Sequence, residues 1–226
     1  MLRSMSIFTA VYFVKFAFFI QVMLNPKLNF EIQRKIFHLY SLVFPIAYIF
    51  LDKMTMCIAL TIITGITLYL DISRHYNPKI KVLVANFFGK FLREEENNGQ
   101  FVLSGSSYMA LGFLLSCLLF NKGLVINSWL ILIISDCFAA IVGLKFGSPL
   151  FNGKSLAGSL SFLLSAILIS IMTYFMIGYK TTFLIIIISS LITTIIEFFS
   201  KELKINDNFA IPVSYALITT ILSWMA

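Results

Sequence analysis

The sequence predicts an all-α fold: a polytopic transmembrane helix bundle of about seven to eight spans, forming a single integral membrane domain over residues 1–226. Three observations carry that expectation. Apolar residues make up 59% of the chain and charged residues 12%, with a mean hydropathy of +0.94, whereas a soluble domain carries about 25% charged residues. Apolar windows recur along the chain at the length needed to cross roughly 30 Å of hydrocarbon at 1.5 Å per residue. No long polar segment exists from which a separate soluble core could be built.

Taken in order, the windows fall near 7–24, 36–51, 54–72, 101–120, 124–146, 158–178, 181–200 and 208–225. The first follows Arg3 and ends at Asn25-Pro26-Lys27, which is not a small-residue cleavage site, so it reads as a retained span. The second is short, and Pro212 interrupts the last, so seven spans or a re-entrant segment is the alternative to eight. Between the third and fourth windows, Asn77-Pro78 opens a stretch in which Ile80, Val84, Phe87, Phe88 and Phe91 recur at helical spacing. Lys79, Lys90 and Arg93 lie off that stripe, which predicts an amphipathic helix near 78–93 lying in the membrane interface. Cys57, Cys117 and Cys137 sit inside apolar runs without metal-ligand spacing and read as packing residues.

Basic residues set the orientation. The odd-numbered connections hold Lys27, Arg34, Lys35, Arg74, Lys79, Lys81, Lys90, Arg93, Lys145, Lys154, Lys201 and Lys204, while the opposite side has Arg3, Lys53, Lys122 and Lys180. The positive-inside rule therefore makes the odd connections cytoplasmic and puts both termini on the other side. Acidic residues, which contribute little to that rule, gather at the same face: Glu31, Asp71, Glu94, Glu95, Glu96, Glu202 and Asp207, with Glu197 near it. Mixed charge at one face predicts a polar site open to the cytoplasm, in a bacterial inner membrane or the endoplasmic reticulum. No nucleic-acid partner is expected.

Asp136 is the first site candidate. It lies inside SWLILIISDCFAAIVGLKFG (128–147), and a carboxylate at bilayer depth costs about 2.5 to 3.5 kcal/mol on insertion scales. A metal, a cation or a polar cavity would keep it there. Ala139, Gly143 and Gly147 follow one turn apart and would let a second helix approach closely, which by itself is ordinary packing. The loop containing Gly153, Lys154 and Ser155 then offers backbone N–H groups, an ammonium and a hydroxyl ahead of a helix, an arrangement suited to phosphate oxygens. It is not a Walker A loop, and a basic loop with a helix cap is its plain alternative.

Arg34, Lys35 and His38 open the second window, with Arg34 and His38 one turn apart; an isolated set of this kind is more often an anchor with a packed histidine. Glu197 and Lys201 share a helix face, and Asp207-Asn208 precedes the last window as a cap or turn would. Asp71 with Arg74, and Arg93 with its three following glutamates, complete the charged set.

These pieces, in this order from Arg34 to Pro212, resemble the dolichol kinase and phytol kinase family of CTP-dependent membrane lipid kinases. The matching motifs are R-K-x-x-H (Arg34, Lys35, His38), D-x-x-R (Asp71, Arg74), the Arg93 and Glu96 segment leading to Ser104-Gly105, S-D-x-x-A-x-x-x-G-x-x-x-G, K-S-L-x-G-S (154–159), Glu197, and D-N-x-x-x-P (Asp207, Asn208, Pro212). Ala157 stands where the family often has an acidic residue. The D-x-x-A-x-x-x-G-x-x-x-G helix and the lysine after it are also similar, more distantly, to phosphatidate cytidylyltransferases.

The resemblance implies transfer of the terminal phosphoryl group of CTP to a membrane-embedded alcohol such as dolichol, another polyprenol or phytol. Asp136 with Asp207 or Glu197 would hold Mg²⁺. Gly143, Gly147, Gly153, Lys154 and Ser155 would border the phosphates, and Arg34, Lys35 and Arg93 would neutralise them. Asp71, Glu197 and His38 are the candidates to accept the alcohol proton. A cytidylyltransferase making a CDP-lipid, and a non-enzymatic membrane transporter, are the alternative functions.

Overall fold

The computed structural model describes residues 26–89, 102–150, 152–179 and 181–226, and all regular structure among them is helical. The window at 7–24, Lys90, Phe91, Arg93 and the glutamates that follow it lie outside the described residues.

Helix α1 (Pro26–Leu39) opens on a proline, whose missing N–H costs nothing at a helix start. It continues through a 3₁₀ turn at Tyr40–Leu42 into α2 (Val43–Phe50). The short window at 36–51 is therefore the apolar half of a longer helical path that begins in charged sequence. Asp52 caps α3 (Lys53–Tyr76): its carboxylate accepts from Thr55 N at 3.0 Å and Thr55 Oγ1 at 2.6 Å, which hold it below the usual carboxylate range.

Part of the stretch expected to be helical forms α4 (Pro78–Phe88), started by Asn77, whose Oδ1 accepts from Lys79 N at 3.0 Å. Its stripe divides: Val84 is buried and Phe88 meets Phe37 edge to face at 6.3 Å, whereas Phe87 points outward, as do Val82 and Leu83 beside the stripe. Apolar side chains thus stand on both the packed and the exposed side of α4, so a single-stripe pattern understates it.

The remaining helices are α5 (Gly105–Leu119), α6 (Lys122–Leu130), α7 (Asp136–Phe146), α8 (Leu156–Ile177), α9 (Phe183–Phe198) and α10 (Asp207–Met225). A π-helical segment at Ile131–Ser135 joins α6 to α7 in one continuous rod, and such segments recur at functional sites. Helix α8 stops at Gly178, whose φ of +69° suits a residue without a Cβ. Pro212 does not interrupt α10. It denies a hydrogen bond to the carbonyl of Asn208, and Gly112 of α5 lies against that carbonyl; a Cβ at Gly112 would come within 3.0 Å of it.

Among the described residues, four helical stretches are long and apolar enough to cross a membrane: Lys53–Tyr76, Lys122–Phe146, Leu156–Ile177 and Asp207–Met225. Helices α5 and α9 are apolar but shorter. The outer faces fit a lipid solvent: Leu156, Leu160, Leu164 and Leu168 form an exposed ladder four residues apart on α8, as do Ile58, Ile62 and Ile66 on α3. These features are compatible with an integral membrane protein.

Inside, Trp129 stacks between Phe113 at 4.5 Å and Tyr48 at 5.4 Å, and its Nε1–H donates to Ser116 Oγ at 2.8 Å. The rod through Ile131–Ser135 is thereby tied to α2 and α5, which fixes the height of Asp136 in the bundle. A second internal knot joins α6, α8 and α10: Asn127 Nδ2 donates to Ser170 Oγ at 3.1 Å, Thr173 Oγ1 donates to Asn127 Oδ1 at 2.8 Å, and Ser170 lies 2.8 Å from Tyr215 Oη.

Candidate functional site

A cavity of about 550 Å³ opens where α1, α7, α9 and the starts of α8 and α10 converge. Arg34, Lys35, Asp136, Gly143, Gly147, Gly153, Lys154, Ser155, Glu197 and Asp207 all line it. Residues singled out along the sequence are thus gathered from five elements. Its charged lining has four cations (Arg34, Lys35, Lys154, Lys201) and four acids (Glu31, Asp136, Glu197, Asp207), so the walls are formally neutral.

Asp136 opens α7, and its Oδ2 receives the ammonium of Lys35 across 101 residues of sequence. Both are buried, at 4% and 3% exposure, so each offsets part of the other's cost of leaving water. His38, one turn beyond Lys35, is also buried, with Nε2 3.9 Å from the same oxygen and without a hydrogen-bond partner. Arg34 pairs with Glu31 at 2.8 Å on the rim.

Across the cavity, Lys154 donates to Glu197 Oε1 at 2.6 Å, to Ser200 Oγ at 3.1 Å and to the carbonyl of Glu197. Glu197 is buried in the last turn of α9. Asn152 Nδ2 donates to Phe198 O at 2.7 Å, which fastens the loop to the same helix end.

One expectation about that loop is corrected. Gly153 N donates to Leu150 O at 2.9 Å and Lys154 N to Asn152 Oδ1 at 3.0 Å, so these amides hold the turn together and are spent before any phosphate arrives. Gly153 serves the turn through its φ of +77°. Ser155 caps α8, accepting from Gly158 N at 3.1 Å, while lining the cavity. The glycines permit close approach of α7 and α8: a Cβ on Gly143 would sit 2.9 Å from Ser155 Oγ, and one on Gly158 2.8 Å from Ala139 O.

Asp71 is not in this cavity. Its Oδ2 accepts from Ser104 N at 2.8 Å, Ser104 Oγ at 2.6 Å and Ser107 Oγ at 2.5 Å, while Arg74 Nε lies 3.1 Å from Oδ1. Arg74 also donates to Val102 O at 3.0 Å. This carboxylate fastens the start of α5 to α3 and is saturated with donors.

Glu31, Ser159 and Lys201 also border the cavity without having been singled out as site residues, and Ser200 adds a contact to Lys154. Their signals were present: Ser159 ends K-S-L-x-G-S, and Lys201 is the helical partner of Glu197. Ala157 lies in the first turn of α8 and does not line the cavity. Arg93 lies outside the described residues.

Mg²⁺ asks for hard oxygens, and three acids expected to supply them share this cavity. Asp136 and Glu197 are each engaged by a lysine, and among the described residues no group of three or more candidate ligands converges. That arrangement suits an ion held by one or two carboxylates together with substrate phosphates rather than an all-protein cage.

The fold and site define an all-helical chain, with helices able to cross a membrane, built around a charged internal cavity. It is 56% identical over 197 residues to the uncharacterized protein RP860 of Rickettsia prowazekii (strain Madrid E), covering 87% of this chain and 97% of that one. It is 31% identical over 193 residues to the uncharacterized protein MJ1137 of Methanocaldococcus jannaschii, covering 83% of this chain and 92% of the other. The chain belongs to the family these two proteins represent. No family model matches it, and no solved structure matches it.

Proposed function

We propose that this chain is a CTP-dependent phosphotransferase that phosphorylates a membrane-embedded isoprenoid alcohol. The single observation that carries the reading is the cavity itself, which collects Arg34, Lys35, Asp136, Lys154, Ser155, Glu197 and Asp207 from separate helices. Phosphoryl transfer asks little covalent chemistry of a protein and depends on positioning and charge neutralisation.

The pairing supports this role. A triphosphate entering a formally neutral cavity competes for the ammonium groups of Lys35 and Lys154, and as each turns toward phosphate it releases a carboxylate. Asp136, with Glu197 or Asp207, would then hold Mg²⁺, which supplies charge neutralisation across the phosphates. Ser155 and Arg34 stand where further phosphate oxygens would be met.

Of the three candidates for the alcohol proton, Asp71 is saturated by serine donors and Glu197 is held by Lys154. His38 retains an unpartnered Nε2. In the proposed step the alcohol oxygen bonds to the terminal phosphorus as the bond to the bridging oxygen breaks. CDP leaves with that electron pair, and the hydroxyl proton passes to His38 Nε2.

Seven to eight spans, a cytoplasmic site and termini on the opposite side complete the reading. The concentration of lysine and arginine in the odd connections supports it.

The test uses purified, reconstituted protein with CTP labelled on its terminal phosphate, Mg²⁺ and a polyprenol. Label is expected in the lipid with release of CDP, and chelation of Mg²⁺ should abolish it. Asp136→Asn and Lys154→Ala are each expected to slow transfer by about 10² to 10³-fold. Undiminished transfer in both variants overturns the assigned roles, and release of pyrophosphate with a CDP-lipid product would instead identify a cytidylyltransferase.

A further inference from the structure

A second cavity, of about 300 Å³, lies between α1, α3, α4 and α5 and is walled mainly by apolar side chains, among them Phe37, Leu60, Ile63, Val84 and Phe113. One end is polar, formed by Asp71, Ser104 and Ser106. Its size is at the lower limit of the roughly 300 to 1,000 Å³ typical of small-molecule sites, room for part of one hydrocarbon chain and too little for two.

The two cavities are joined by one face of a single helical path. Lys35 lines the charged cavity and Ser41 lines the apolar one, with His38 midway at three-residue steps. All three are buried, and the rise between the ends is about 9 Å. A second element repeats the arrangement: Asp207 borders the charged cavity, while its neighbour Asn208 donates from Nδ2 to Gly105 O at 2.9 Å, between the two serines of the apolar one.

Along this shared wall two buried polar atoms have no hydrogen-bond partner, His38 Nε2 and Asn208 Oδ1. A buried polar atom left unpaired costs about 1 to 3 kcal/mol, so each of these two atoms would gain from a bound hydroxyl. A molecule with a hydroxyl head and a single apolar tail meets the wall and the cavity together.

We propose that this apolar cavity receives the chain of a single-chain lipid alcohol, with its hydroxyl at His38 and Asn208, facing the charged cavity. The assignment deepens the phosphotransferase reading and rests on it only for the fate of the hydroxyl. Helix α4 forms one wall and shows Val82, Leu83 and Phe87 to the outside, so the rest of a long chain passes beside it into lipid. The cavity holds part of one chain, so a two-chain acceptor such as diacylglycerol is expected to compete poorly.

The test is photolabelling of the reconstituted full-length protein with a short isoprenoid alcohol carrying a diazirine near its hydroxyl. The label is expected on the 104–113 segment. Ala110→Phe, and Val84→Trp from the opposite wall in case the first variant fails to fold, should each cut labelling about tenfold and raise the acceptor KM to match, with CTP affinity unchanged.

Label elsewhere, or labelling insensitive to both substitutions, overturns the proposal. So does competition by diacylglycerol as effective as competition by the unlabelled isoprenoid alcohol. Site-specific labelling without phosphoryl transfer to any acceptor would leave the cavity assigned and remove the kinase. Transfer with indifferent labelling would do the reverse.

Discussion

Asp71 and Asp136 are both 4% exposed aspartates on helices apolar enough to cross a membrane, yet their surroundings divide them. Asp71 accepts three hydrogen bonds from Ser104 and Ser107, with Arg74 beside its other oxygen. Asp136 has one lysine, a histidine whose Nε2 lies at 3.9 Å without a hydrogen-bond partner, and a cavity in front of it. Burial alone therefore marks neither as functional. The useful distinction is whether the donors around a buried acid are all committed to holding the fold.

The comparison breaks most directly through matched Asp→Asn substitutions. Asp71→Asn leaves Arg74 uncompensated and loosens the start of α5, at a cost of about 3 to 5 kcal/mol. It should appear as the larger loss of thermal stability in detergent, with CTP affinity per folded molecule nearly retained. Asp136→Asn should show the opposite balance, because water entering the cavity can solvate Lys35. Equal melting losses in the two variants would erase the distinction.

A smaller effect is expected at the close crossing of α7 and α8. In Gly158→Ala the new methyl would meet Ala139 O at 2.8 Å, so the helices must separate at a cost of about 1 to 3 kcal/mol. Activity should fall along with melting temperature, since Lys154 and Asp136 lie on the two sides of that crossing. Smaller still, Ser104→Ala removes a helix cap and one of the Asp71 donors, costing about 1 kcal/mol, which circular dichroism melts should detect.

Much of this division was legible in the sequence, and its failures have physical reasons. Asp136 stands out because a carboxylate within an apolar run is costly, and Gly143 and Gly147 mark the close helix contact beside it. Its partner does not stand out: Lys35 is 101 residues away, and only the folded path brings α1 against α7. Asp71 looked equally chemical because no spacing rule reveals that Ser104 and Ser107 will occupy it from another helix.

The composition of the loop at Gly153 predicts amides donated outward, whereas Asn152 and Leu150 take them inward, a choice set by the turn's geometry. The knot of Asn127, Ser170, Thr173 and Tyr215 left no sequence signal, because single hydroxyls and amides in apolar runs resemble packing residues. The fold class was readable because bilayer thickness imposes a length on every span. Side-chain partnerships obey no such ruler.

The π-helical segment ahead of Asp136 carries a last consequence. One extra residue in a turn advances everything downstream by about 100° around the rod. The portion carrying Trp129 can thus bury its ring on one side, and the portion carrying the acid can aim at Lys35 on another, without an intervening loop. Deleting any one residue from Ile131–Ser135 would leave hydropathy and aromatic stacking as they are, yet swing the carboxylate away from its lysine.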